Sequence, residues 1–339
     1  MKNDLSREER YQSPVKAMLT GIGDLFRRPA GQVELLDSDR LDGKKVLITG
    51  ASSGLGFATA VELARRGAHV IMAVRSGIPR KGEEVKALSG SDRVEMVHLD
   101  LADLKSLRDF ADEVRERFGR VDVFVSNAAM VASQGRKNGF GLDEMFTVNY
   151  FAKFILVNLL LEEGLLDTRG NGSPRIIIVA SESHRNADRF DWEGFGRFNP
   201  YGMRDSVAMY GYYKLLLVTM ASELSRRLSN STPGKASGIP VFALCPGPVN
   251  SNIAREAPRV FQPLLKLVFS IFFRSPRVAC RPVVYLAASR EMEGRTGEYL
   301  FLMQPKEMDG KATDPANGKR LWELSEALRD RLLPDRPGA

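Results

Sequence analysis

The sequence of 339 residues has few side chains that bind metals or form disulfides, with two cysteines and three histidines. Cys245 and Cys280 do not belong to a C-x-x-C pair, and no cluster of histidines accompanies them. We therefore expect neither a metal site nor a disulfide framework. Both cysteines are predicted to be buried small hydrophobic residues in a reducing, cytoplasmic compartment.

Long apolar segments are also missing. The first residues lack the apolar stretch of a signal peptide, and no run of about 18 apolar residues is available to span a bilayer. The net charge of +7 comes without basic runs interleaved with aromatic residues and without zinc-finger spacing, so nucleic acid is not expected as a partner. The charge favours phosphate-bearing ligands or an anionic membrane surface instead.

From residue 41 onward, short apolar runs alternate regularly with amphipathic segments. Strands are predicted at 46–48, 69–73, 94–99, 121–126, 175–179, 241–244 and 299–303. Helices are predicted at 57–66, 81–88, 104–118, 142–161 (with room for a short break), 209–228 and 321–333. The alternation predicts an α/β fold of the Rossmann type, a doubly wound parallel sheet of about seven strands with helices on both faces.

A glycine-rich turn follows the first predicted strand and leads into the first predicted helix. Gly50 permits a tight turn, Gly54 lets the backbone approach a ligand, and Gly56 lets helix and strand pack closely. Because unpaired N–H groups and the positive end of the helix dipole meet here, the turn favours a pyrophosphate. A flexible turn without a ligand is the alternative. The residues assigned to a dinucleotide are Gly50, Ser52, Ser53, Gly54, Leu55 and Gly56.

The second predicted strand runs into Arg75, with no carboxylate nearby to compete. A dinucleotide site that accepts NAD needs an acidic residue here for the ribose hydroxyls, whereas a 2′-phosphate needs a cation. Arg75 therefore predicts NADP as the cofactor, and an ordinary surface arginine is the alternative.

Other polar and small residues follow later strands, where ligands bind in open α/β sheets. We assign these to the cofactor as well: Asp100 and Leu101, then Asn127, Ala128 and Ala129, then Pro246, Gly247 and Val249.

Tyr210 and Lys214 lie one turn apart on a predicted helix and share a face. A nearby ammonium lowers the pKa of a tyrosine and so makes it a usable proton donor or acceptor, although such a pair is more often an ordinary surface feature. Ser181 follows the fifth strand and can hydrogen-bond a substrate oxygen. Asn149 is a polar residue in an apolar helix and needs partners, which a backbone kink with a bound water would supply.

These motifs resemble the short-chain dehydrogenase/reductase family. TGASSGLG is similar to the family's TGxxxGxG loop, and SNAA to its NNAG with departures at both ends. Tyr210 and Lys214 match YxxxK, Ser181 matches the catalytic serine, and Asn149 matches the tetrad asparagine. VNYFAKFILVNLLL resembles VNHLGHFLLTNLLL of the retinol dehydrogenase-like branch. The family's PGxVxT has Ser251 in place of threonine here.

The resemblance implies an NADP(H)-dependent oxidoreductase that interconverts a carbonyl and an alcohol by hydride transfer. Tyr210 would transfer the proton, Lys214 would lower its pKa and bind the nicotinamide ribose, Ser181 would orient the oxygen, and Asn149 would hold a water. Two alternatives remain open: a C=C reductase of the protochlorophyllide reductase-like type, and a dinucleotide-binding sensor or scaffold without turnover.

The domain organisation follows from these assignments. We expect an N-terminal extension over residues 1–40, a single catalytic domain over 41–305 and a C-terminal tail over 306–339. Lids over the substrate are predicted near 184–209 and 255–276, and a homodimer is compatible with the sequence.

Two segments bear on the substrate and on membrane contact. Residues 260–273 are rich in large apolar side chains and so predict a lipophilic substrate such as a retinoid, sterol or long-chain aldehyde. Residues 15–28 have helical apolar spacing. Either segment packs on the domain or contacts a membrane at its surface.

Overall fold

The computed structural model describes residues 33–167, 174–230, 238–248 and 275–333. At its centre lies an eight-stranded sheet in the order β3-β2-β1-β4-β5-β6-β7-β8. Every neighbouring pair is parallel except β7 and β8. The strands are β1 (Lys45–Thr49), β2 (His69–Val74), β3 (Val94–His98), β4 (Val123–Ser126), β5 (Arg175–Val179), β6 (Val241–Cys245), β7 (Tyr299–Phe301) and β8 (Gln304–Pro305).

Helices connect the parallel strands and cover both faces of the sheet. They are α1 (Gly54–Arg65), α2 (Arg80–Ser89), α3 (Leu104–Phe118), α4 (Glu144–Glu162), α5 (Met203–Asn230), α6 (Pro276–Ala279), α7 (Arg281–Ala288), α8 (Gly310–Thr313) and α9 (Pro315–Leu332). The strand order reverses between β1 and β4, so the carboxyl ends of these two strands form a crevice in which ligands bind in folds of this kind.

The core has two layers because side chains alternate along each strand. In β1, Leu47 packs with α3, α4, α5 and α9 on one face of the sheet. Val46 and Ile48 pack with α1, α2 and α7 on the other face. Both faces are therefore buried, which explains why the strands are continuous apolar runs.

The predicted fold class is confirmed. Helix α3 and strand β5 have the predicted bounds, and most other elements differ by one to three residues at an end. Helix α5 begins at Met203 rather than at 209. The sequence did not predict its first two turns because they are largely polar and lack an apolar period. The eighth strand is a two-residue antiparallel pairing with β7, too short to show a period in the sequence.

Helix α4 contains the break that the sequence allowed, as a π turn at Thr147–Phe151. Among the described helices, α4 alone is long and apolar enough to cross a membrane, but 72% of that stretch is buried inside the domain. The apolar composition of α4 is therefore explained by its burial in the protein core.

The C-terminal segment packs against α4. The Trp322 and Phe154 rings meet edge to face with centroids 5.0 Å apart, and the Tyr150 hydroxyl and Ser325 Oγ are 2.6 Å apart and buried. Helix α9 thus belongs to the same core as the sheet.

Several predictions fall on residues outside the described ranges. These are Val249, the helix at 15–28, the apolar segment 260–273 and nearly all of the lid near 255–276. Cys245 and Cys280 are free and buried, as predicted.

Candidate active site

The glycine loop packs tightly against the turn after β4. Gly50 has a φ of +69°, and a Cβ at this position would lie 2.8 Å from Ala128 Cα. A Cβ at Gly56 would lie 2.4 Å from the Gly50 carbonyl oxygen and 2.5 Å from Asn127 Nδ2. Larger residues are therefore excluded from both positions, and the loop leads directly into the N-terminus of α1.

Thr49 and Asn127 join the ends of β1 and β4. The Thr49 hydroxyl oxygen accepts from the backbone N–H of Asn127 at 3.0 Å and from that of Ala128 at 3.1 Å. The Asn127 amide donates to the Thr49 carbonyl oxygen at 2.9 Å. Sequence reasoning missed Thr49, although its place just before Gly50 was a usable signal.

Two charged side chains lie at the ends of β2 and β3. Arg75 is exposed, and within the described residues it makes no hydrogen bond or ion pair that would compete for a ligand. Asp100 Oδ1 accepts from the backbone N–H of Ala102 at 2.9 Å, which fixes the loop before α3. Both residues line the crevice.

A cleft of about 570 Å³ runs along the carboxyl ends of the strands. The predicted cofactor residues meet in it, apart from Val249, which lies outside the described part of the chain. The cleft is lined by Gly50, Ser52, Ser53, Gly54, Leu55, Gly56, Arg75, Asp100, Leu101, Asn127, Ala128, Ala129, Ser181, Tyr210, Lys214, Pro246 and Gly247.

Tyr210 and Lys214 enter the cleft from α5. Lys214 Nζ lies 5.5 Å from the centroid of the Tyr210 ring and donates to the Val179 carbonyl oxygen at 3.3 Å. Burial lowers the pKa of Lys214 to about 8. Burial, followed by the nearby Cys245, raises the pKa of Tyr210, while a hydrogen bond with Ser181 lowers it. The net shift is upward, so the expected lowering of the Tyr210 pKa is not found in this structure.

Ser181 is held by the turn that follows β5. Its Oγ accepts from the backbone N–H of Ser183 at 3.2 Å, and its carbonyl oxygen lies 2.7 Å from His184 Nδ1. Burial lowers the pKa of His184 to about 4, so the ring is neutral at neutral pH. The ring therefore donates from Nδ1 to Ser181 and accepts at Nε2 from the Asp309 backbone N–H, 3.4 Å away. His184 was missed because its partner is 125 residues distant.

Asn149 does not line the cleft; it supports the cleft from behind. It lies in the π turn of α4, fully buried. Its Nδ2 donates to the Met130 carbonyl oxygen at 2.7 Å, and its Oδ1 accepts from the Met130 backbone N–H at 3.1 Å. The structure therefore places Asn149 behind Met130, and the backbone of that residue supplies both partners.

The far end of the cleft is mixed in character. Met130, Val131 and Val148 provide apolar walls, and Arg136 and Glu144 form an ion pair at 2.7 Å. Within the described residues, no group of three or more His, Cys, Asp or Glu is placed to hold a metal ion.

Comparisons with known proteins agree with this geometry. A sequence model of the short chain dehydrogenase family matches residues 44–189. Retinol dehydrogenase 14 of Homo sapiens is 34% identical over 309 residues, covering 86% of this chain and 88% of that protein. The chain belongs to the short-chain dehydrogenase family. Retinol dehydrogenase 13 of Mus musculus is also 34% identical to this chain, over 85% of this chain and 84% of that protein. The chain is therefore an oxidoreductase of the retinol dehydrogenase-like branch.

Solved structures show the same fold. An uncharacterised protein from Mycobacterium paratuberculosis has a TM-score of 0.66 at 30% identity, covering 87% of this chain and 97% of that chain. A putative NAD(P)-dependent gluconate 5-dehydrogenase from Beutenbergia cavernae was solved with bound NADP. It has a TM-score of 0.56 at 28% identity, covering 78% of this chain and 96% of that chain.

Proposed function

We propose that the chain is an NADP(H)-dependent oxidoreductase that interconverts a carbonyl and an alcohol on a lipophilic substrate. The observation that carries the proposal is that Ser181, Tyr210 and Lys214 line the same cleft as the glycine loop. A proton-transferring tyrosine beside a nucleotide cradle is the arrangement that coupled hydride and proton transfer requires.

The residues present fit a dinucleotide. A Cβ at Gly50 or Gly56 would collide with neighbouring protein atoms, so the loop between β1 and α1 must stay free of side chains there. Helix α1 begins within this loop, and its N-terminal residues line the cleft, where their N–H groups can bind a phosphate. Arg75 provides an unpaired cation, within the described residues, where a 2′-phosphate would lie. This argument favours NADP over NAD, and the gluconate dehydrogenase relative binds NADP.

When bound, the nicotinamide supplies or accepts the hydride at its C4. Tyr210 holds its proton at neutral pH, as a phenol ordinarily does, and its hydroxyl is the group that would donate to the substrate oxygen during carbonyl reduction. The Ser181 hydroxyl would hold the same oxygen. Lys214, with a pKa of about 8, carries a charge at neutral pH that stabilises the phenolate left on Tyr210.

Asn149 has an indirect part in this proposal. Its amide fixes the Met130 backbone at the wall of the cleft, and the π turn around it would hold a water in the proton path.

The substrate class rests on two supports. Met130, Val131 and Val148 give the far end of the cleft apolar walls, and the similar proteins carry the name of retinol dehydrogenases. A retinoid, sterol or long-chain aldehyde suits such walls. Peripheral membrane contact from the cytoplasmic side would deliver these compounds, and a homodimer stays a prediction.

The test is NADPH consumption by the purified full chain with retinal, a long-chain aldehyde and a short-chain aldehyde, each repeated with NADH. We expect NADPH to be used in preference to NADH and the lipophilic aldehydes in preference to the short one. Binding of NADPH without turnover of any of these compounds would instead support a dinucleotide-binding sensor or scaffold. Reduction of a C=C bond of retinal, with its carbonyl group retained, would support a C=C reductase.

A further inference from the structure

The wall of the cleft contains an ion pair that the proposed mechanism does not use. Arg136 Nε donates to Glu144 Oε2 at 2.7 Å, and the backbone N–H of Glu144 donates to the Arg136 carbonyl oxygen at 2.8 Å. Both residues line the same cleft as Ser181 and Tyr210. The side chains of Arg136 and Glu144 are 38% and 22% exposed, so the pair is still accessible to a ligand.

The ion pair adjoins the apolar walls of the cleft. Glu144 and Val148 are one turn apart on α4, so their side chains share a face of that helix. Arg136 belongs to the loop between β4 and α4, which also contributes Met130 and Val131 to the cleft. A lipophilic ligand that contacts these apolar side chains therefore lies close to the charged pair.

The same loop is tied to the helix that carries Tyr210. Ser206 lies one turn before Tyr210 on α5, and its buried hydroxyl donates to the Ala132 carbonyl oxygen. The backbone N–H of Gly135 donates to the Tyr201 carbonyl oxygen at 2.9 Å, and the next residue of the loop is the arginine of the pair. These bonds hold the pair in place relative to the catalytic hydroxyl, and such preorganisation favours selection among similar ligands.

Glu144 offers an acceptor to a ligand in the cleft. Its Oε2 is engaged by Arg136, whereas its Oε1 makes no hydrogen bond within the described residues. A hydrocarbon group placed against this oxygen would displace water without replacing its hydrogen bond, which costs free energy. A hydroxyl group would replace that bond by donating to Oε1, and a carboxylate would be repelled.

We propose that Glu144 is a specificity-determining residue that accepts a hydrogen bond from a hydroxyl group of the substrate, remote from the reacting carbonyl. Arg136 orients the accepting carboxylate. The inference rests on the proposed function and narrows its substrate class to lipophilic carbonyl compounds and alcohols with a second, remote hydroxyl group. A hydroxylated ring or chain suits this part of the cleft, and an end group made of hydrocarbon alone does not.

The first test measures this preference in the wild-type chain with NADPH. Aldehydes with a terminal hydroxyl are compared with unsubstituted aldehydes of the same length, in a series from short to long chains. At the lengths that place the hydroxyl at Glu144, kcat/KM should be about fivefold higher for the hydroxy aldehyde. The gain should appear in KM, because the remote bond is the same before and during hydride transfer. Equal kcat/KM values at every length would overturn the inference.

The second test removes the acceptor. In Glu144→Met the ratio of kcat/KM for the hydroxy aldehyde to that for its unsubstituted partner should fall to about one. Both aldehydes are measured on the same protein, so a general loss of activity cancels in this ratio. Glu162→Met is the matched control, since Glu162 lies on the same helix and pairs with Arg329 at 2.9 Å outside the cleft. This control should keep the wild-type ratio.

The third test changes the charge of the pair but not its size. Glu144→Gln leaves Arg136 as the charged member, so an aldehyde with a terminal carboxylate should gain about fivefold in kcat/KM relative to its unsubstituted partner. A hydroxyl preference that both Glu144 variants retain would overturn the inference alone. If the wild-type chain turns over no aldehyde of either kind, the proposed function itself is wrong.

Discussion

The cleft has two halves that are built in different ways. The cofactor half, from the glycine loop to Asn127, is made mainly of backbone, held by short links between neighbouring strand ends such as those of Thr49. The catalytic half, around Ser181, Tyr210 and Lys214, is made of side chains. Distant parts of the chain support it, as His184 does by linking Ser181 to Asp309.

The difference shows how each kind of site is encoded. A backbone cradle needs small residues at fixed spacing, so a short motif can specify most of it. A side-chain site depends on the burial of each group and on its partners, which come from segments far apart in the sequence. Substitutions in the cofactor half should therefore change mainly the NADPH Kd, and substitutions in the catalytic half should change mainly kcat.

The largest effect is expected in the catalytic half. Tyr210→Phe removes the proton donor and should lower kcat by about a hundredfold or more, while the NADPH Kd remains within about twofold of wild type. Steady-state kinetics and NADPH fluorescence titration measure the two quantities. Tyr212→Phe, whose hydroxyl contacts Asp191 outside the cleft, is the control. A residual rate above about a tenth of wild type would assign the role to another group, with Tyr213 the next candidate.

Acid should lower the free energy of unfolding, because His184, which links Ser181 to Asp309, is neutral in the folded chain. His184 has a pKa near 4 when folded and about 6.5 when unfolded, so the unfolded chain binds the extra proton between these values. Stability should fall as the pH drops from about 6.5 to 4, by about 3 kcal/mol in total from this residue.

His184→Asn keeps a donor for the Ser181 carbonyl oxygen but cannot titrate, so this part of the pH dependence should vanish in urea unfolding. The exposed His98 provides the control variant, His98→Asn, which should keep the wild-type profile. A His184→Asn profile that parallels wild type would mean that the ring is already charged in the folded chain.

These contrasts also explain what the sequence could predict. The strand and helix order, the glycine loop and the positions of Ser181, Tyr210 and Lys214 follow from periodicity and motif spacing. The upward shift of the Tyr210 pKa could not be predicted, because it depends on how deeply the side chain is buried and on Cys245. The placement of Asn149 against Met130 likewise depends on the π turn, which leaves no period in the sequence.

A change in the glycine loop should affect only the cofactor half. Gly56→Ala places a Cβ 2.4 Å from the Gly50 carbonyl oxygen, where two backbone segments would have to separate. We expect the NADPH Kd to rise by about tenfold or more, since overpacking costs about 1–3 kcal/mol, with a much smaller change in kcat at saturating NADPH. Gly139→Ala, where a Cβ meets nothing within 4 Å, is the matched control. Equal losses in both variants would count against a tight cradle.

The smallest expected effect is a change in cofactor choice at the rim of the cofactor half. Arg75 is exposed, so its attraction for a 2′-phosphate is partly screened by water. Arg75→Asp replaces that attraction with repulsion and adds an acceptor for ribose hydroxyls. A charge-assisted hydrogen bond contributes about 1.5–3 kcal/mol, and screening by water places exposed Arg75 at or below the lower end, so the ratio of kcat/KM for NADPH to that for NADH should fall by about tenfold at most. Arg93→Asp makes the same charge change at the start of β3, at the opposite end of the strands from the cleft, and should leave the ratio unchanged. If both variants use the two cofactors as the wild-type chain does, Arg75 is an ordinary surface residue and the preference for NADP must come from elsewhere in the cleft.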